Sequence, residues 1–99
     1  MEEPEVTEIK KNSNNKEYVK NAVSNQGKLL EWASNALKDD EEVVKNAVSN
    51  KGIIIKYASY RLRDNEEIAK IAVSQDDRAI HFLSERLKNN EEIKKLIEK

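Results

Sequence analysis

The apolar positions of the chain recur in two alternating stripes. Val43, Val44, Ala47 and Val48 follow an i, i+1, i+4, i+5 spacing, which places four apolar side chains along one side of a helix and leaves Lys45, Asn46 and Ser49 on the other. A few residues on, Ile54, Ile55, Tyr57, Ala58 and Leu62 form a second stripe, matched one block earlier by Leu29, Leu30, Trp32, Ala33 and Leu37. Each stripe predicts an amphipathic helix of about ten residues, too short to be stable alone in water, so the two must pack on each other.

The pattern then repeats. Aligned in blocks of 25 residues, the chain needs no insertion or deletion to stay in register, and the hexapeptide KNAVSN at Lys20 to Asn25 returns unchanged at Lys45 to Asn50. The units run over 15–39, 40–64 and 65–89, with a shortened fourth, 90–99, as a closing helix. A polar lead, 1–14, precedes them, in which Pro4 suits a first helical position and Val6 and Ile9 can dock on the first unit. The expected fold is all-α: a short solenoid of stacked helix-turn-helix repeats, about three and a half units long.

Local signals mark the joints. Asn14, Asp39, Asp64 and Asn89 each stand three residues ahead of a Glu, the spacing of a reciprocal capping box. Gly27 and Gly52 lie between the two halves of their units, where a left-handed turn or a cap is expected, and Asp77 replaces them in the third unit, where a capping role is expected. Trp32, Tyr57 and Phe82 fall in one column and predict a stacked aromatic core seam, with Ala22, Ala47 and Ala72 allowing close backbone approach.

The stretch AVSNKGIIIKYASYRLRDNEEIAKIAV, Ala47 to Val73, resembles a family of bacterial and viral tandem domains of unknown function. Its units read Ala-Val, a polar gap, Gly, Leu, an aromatic followed by Ala-Ser, Leu, then Asp before the next capped helix. The resemblance covers Asn15 to about Asn90, and the third unit departs from it at Asp77 and Leu83. It implies an all-helical repeat and no known activity. The same clean register is also what a consensus or computational design would show.

Composition narrows function mainly by exclusion. Lys and Arg total 18 against 19 Asp and Glu, so a net charge of -1 supplies no field that favours nucleic acid or an anionic membrane. The longest apolar run, Ile53 to Ile55, is far short of the roughly 20 residues a spanning helix needs. There is no cysteine, and the acidic start lacks the regions of a signal peptide, which together suggest a cytoplasmic chain. Ser24, Ser49 and Ser74 have no neighbouring base, the first-turn Glu pairs are expected to be wet, and Asp76 with Asp77 has no third oxygen-rich partner segment. No catalytic, cofactor or metal site is expected.

What remains is a contact surface. Tyr60, Arg63, Arg78 and His81 bring an aromatic and cations to the second halves of units two and three, and Tyr and Arg are the residue types enriched at interface hot spots. Ile71 and Leu96 are apolar where Asn21 and Asn46 stand in earlier units, so they contact the closing helix or form an exposed apolar spot. The sequence therefore suggests a non-catalytic, monomeric module that binds an unidentified protein. The alternatives are a purely structural or designed repeat without a natural partner and, less favoured by charge, nucleic-acid binding.

Overall fold

A side-chain oxygen starts each long helix. In the computed structural model, which describes residues 3–97, Asn15, Asp40 and Asn65 accept hydrogen bonds from the backbone N–H groups of Tyr18, Val43 and Ile68 at 3.1, 3.1 and 3.0 Å. They open α2 (Lys16–Asn25), α4 (Glu41–Asn50) and α6 (Glu66–Gln75), and Asn90 does the same at 3.1 Å for α8 (Glu91–Ile97). A further helix, α1 (Pro4–Lys11), precedes them with Pro4 in its first turn. The outer ends of the expected lead and closing helix lie outside the described residues.

The capping boxes expected at Asn14, Asp39, Asp64 and Asn89 do not form. The cap is one residue later in every case, so its third helical residue is Tyr18, Val43, Ile68 or Ile93 and no carboxylate can reciprocate. The acids instead occupy the first turn, where the helix dipole favours them.

The second half of each unit also differs from expectation. It is a 3-10 helix followed by a break and a single α turn: η1 (Gly27–Trp32) and α3 (Asn35–Lys38), η2 (Gly52–Tyr57) and α5 (Tyr60–Arg63), η3 (Asp77–Phe82) and α7 (Glu85–Lys88). The break falls at Ser34, Ser59 and Ser84, whose backbone is extended and whose hydroxyls accept from Leu37, Leu62 and Leu87 N–H. With its side chain used as a cap, each serine turns its own N–H to the segment before its unit, the lead for Ser34 and the preceding unit for Ser59 and Ser84, reaching Ser13, Lys38 and Arg63 carbonyls at 2.8, 2.9 and 3.1 Å. A continuous helix would forfeit that bond.

Stacking is carried from unit to unit by like elements. α2 packs on α4, α4 on α6 and α6 on α8, while η1 packs on η2 and η2 on η3. The molecule measures 40 by 23 by 20 Å along its principal axes. The interior is aliphatic: Val19, Val44 and Ala69, Val23, Val48 and Val73, and Leu37, Leu62 and Leu87 are buried in successive copies. Trp32, Tyr57 and Phe82 pack against this core but are only half-buried, so the aromatic column is its rim rather than its seam. In a helix with about three residues per turn, Leu30 and Ala33 share the inward side and Trp32 stands a third of a turn away from them.

Neither Gly27 nor Gly52 has a positive φ, so a left-handed turn is not their purpose. Each lies under the next unit's backbone: a Cβ on Gly27 would sit 2.7 Å from the Ala47 carbonyl oxygen, and one on Gly52 closer still to that of Ala72. The expected cap at Asp77 is displaced as well, since Asp76 accepts from Arg78 N–H while Asp77 is exposed.

Candidate functional site

Several polar residues that repeat join one unit to the next. The Ser59 hydroxyl donates to Asp39 Oδ1, Arg61 Nε donates to the same oxygen at 2.9 Å, and Arg61 also reaches the Asp39 carbonyl. One unit later Ser84 and Arg86 hold Asp64 in the same way. The serine hydroxyl first, and the arginine second, keep both aspartates below the usual carboxylate range. Along the long helices Lys20, Lys45 and Lys70 meet Glu42, Glu67 and Glu92 at 3.3, 2.8 and 3.0 Å.

The repeated hexapeptide is explained by the same contacts. Its lysine makes the inter-helix ion pair, its valine is fully buried, and the alanine carbonyl accepts the N–H that ends the helix. Its final asparagine, as Asn50, accepts from Gly27 N–H at 2.8 Å and donates to the Asn25 carbonyl at 3.3 Å. These are packing and pairing tasks.

The half-buried aromatic rim has its own interleaving. Lys10 lies 4.4 Å above the Trp32 ring, and Lys56 lies 5.2 Å from Tyr57 and 5.9 Å from Phe82. Glu31 stands beside Tyr57, whose phenol is pushed up first by desolvation and then by that carboxylate. Residue 31 therefore reaches the ring of the next unit, and residue 56 does likewise. His81 holds this place in the third unit, and the sequence has no aromatic residue beyond Phe82. His81 is exposed at the end of the rim.

Of the four candidate contact residues, the structure joins two. Tyr60 is 61% exposed, and the Arg63 guanidinium lies 5.5 Å from its ring. Arg63 is itself anchored, donating to the Ala58 carbonyl at 3.3 Å and the Phe82 carbonyl at 3.4 Å, which brings it beside His81 along the chain. Arg78 is engaged separately, donating two hydrogen bonds to Asp76 at 3.0 and 2.7 Å. That pair, together with the Arg78 N–H, lowers the Asp76 carboxyl to about 2. Ile71 packs against the core, whereas Leu96 is 40% exposed.

A groove that no sequence motif announces lies between α1 and α2, lined in part by Tyr18, Ala22 and Leu29. Its trace in the sequence is that Tyr18 and Ala22 occupy the places of Val43 and Ala47. Among the described residues no group of three or more His, Asp or Glu is placed to hold a metal ion, and no helix is long and apolar enough to cross a membrane.

A family model for a domain of unknown function, DUF4116, matches residues 15–63 and 65–97. No curated protein and no solved structure matches the chain.

Proposed function

Because the chain belongs to the DUF4116 family of domains of unknown function, whose description carries no activity, we propose from its surface that it is a non-catalytic module of solenoid type that binds another protein through the face of α5 and η3. The observation that supports this most is Tyr60. A large aromatic side chain, 61% exposed, is held beside an arginine that is fixed at two backbone carbonyls. Such a pair loses little side-chain freedom on association, and Tyr and Arg are the residues on which binding energy concentrates. His81 extends this surface from the end of the aromatic rim. Arg78, held by Asp76, contributes at its margin. We take the working form to be a cytoplasmic monomer.

Arg63 also bridges two units, so its removal would mix stability with binding. Tyr60 offers the cleaner test. Tyr60→Ala is expected to leave helicity and the melting temperature unchanged and to weaken a captured partner by about 2 kcal/mol or more, roughly thirtyfold. Partners retained with equal affinity by wild type and Tyr60→Ala would exclude this face. Retention by Tyr60→Phe would show that the ring rather than the hydroxyl is used.

A further inference from the structure

Val43 and Ala47 of α4, like Ile68 and Ala72 of α6, are fully buried, each helix lying against the one before it. Tyr18 and Ala22 hold the same places on α2 and are only half-buried. With Leu29 they line one side of a groove of about 320 Å³, whose other wall is Pro4, Glu5 and Glu8 of α1. Val6 and Ile9 of α1 are buried, but α1 leaves this groove beside α2 open.

The interior junctions show what such a face accepts. The helix laid on α4 carries buried Val19 and Val23 with Lys20 reaching Glu42, and the helix laid on α6 carries buried Val44 and Val48 with Lys45 reaching Glu67. Glu17 is the counterpart of Glu42 and Glu67 on α2. Its side chain is 78% exposed and meets Lys20 of its own helix at 3.4 Å. Glu5 and Glu8 stand on the opposite wall, Glu8 with Lys11 of its own helix at 3.9 Å. The α8 helix of a second copy fits poorly here, because it places Lys94 where Val19 and Val44 supply the aliphatic contact.

We propose that the α1–α2 groove binds an amphipathic helix of another protein, with aliphatic residues at i and i+4 and a lysine at i+1, seated on α2 as α2 is seated on α4. This inference rests on residues distinct from Tyr60 and Arg63, and neither reading depends on the other.

The chain's own α4 supplies the probe. A peptide of residues 40–52, stapled across its outward face so that it is helical in solution, carries Val44, Lys45 and Val48 in the required order. Titrated into the full chain, it is expected to give saturable fluorescence anisotropy and to shift the amide signals of Tyr18, Ala22 and Leu29. Val44→Asp with Val48→Asp in the peptide should abolish binding. Glu17→Lys in the chain should weaken it about three- to fivefold, and Lys45→Glu in the peptide should restore it. No saturation at millimolar peptide, signal shifts confined to other residues, or failure of the charge exchange to restore affinity would each overturn the proposal. Concentration-dependent self-association that broadens the same three signals without peptide would assign the groove to a second copy instead.

Discussion

Gly52 shows how a single atom sets the spacing of the stack. A methyl group there would meet the Ala72 carbonyl, and also Gln75 Cβ at 2.9 Å, both in the next helix, where backbone cannot rotate out of the way. Gly52→Ala is therefore expected to cost about 1 to 3 kcal/mol by overpacking, measured as a lower urea midpoint, with Gly27→Ala costing less because its nearest atom is 2.7 Å away. The ordinary gain from replacing a flexible glycine would have the opposite sign. The two glycines stood out in the sequence, but their reason did not, since it lies in a carbonyl 20 residues further on. Trp32 carries a related lesson. Its ring is half-buried beneath Lys10, so truncation should cost less than the roughly 3 to 5 kcal/mol of a fully enclosed aromatic.

Among elements, the long helices were legible and the short ones were not. An i, i+4 aliphatic stripe with Asn or Asp ahead of it leaves few alternatives to α2, α4 and α6. The stripe from Leu29 to Leu37 suits one helix as well as it suits η1 with α3, and the choice is made by the Ser34 N–H bonding to Ser13. The same uncertainty moved the caps, because Asp39 and Asp64 had the right chemistry for a helix start but are taken by Ser59 and Ser84. Their acidity makes this testable. A carboxyl whose folded pKa lies below its unfolded value contributes stability above the ordinary aspartate value of about 4 and loses that contribution as pH falls below it. The urea midpoint of the wild-type chain should thus decline below about pH 4, and Asp64→Asn should decline less steeply over the same range. Parallel profiles would mean that the Ser84 and Arg86 bonds contribute nothing to folding. For Asp76, held to about 2 by Arg78, the corresponding window runs from about pH 4 down to about pH 2.

At the scale of the whole molecule, the all-helical repeat was readable from its period, while the two surfaces put forward for binding differ in how visible they were. Tyr60 and Arg63 drew notice as residue types and proved to be neighbours. Arg78 drew notice for the same reason and proved to be tied to Asp76, a pairing between residues two apart that composition cannot rank above a free cation. The α1–α2 groove depends on comparing a half-buried position with its buried copies, which requires coordinates. One consequence concerns length. The serine N–H that grips the preceding carbonyl is a main-chain bond and carries no residue code. Excising residues 40–64 would bring Ser84 to Lys38, Arg86 to Asp39 and Lys20 to Glu67, the chemistry already found at each joint. The shortened chain is expected to fold with a smaller denaturant slope, in proportion to the surface removed, and a loss of cooperative unfolding would disprove it. Such a protein can change its copy number by whole modules, as a zip is shortened by removing teeth, without any joint having to be redesigned.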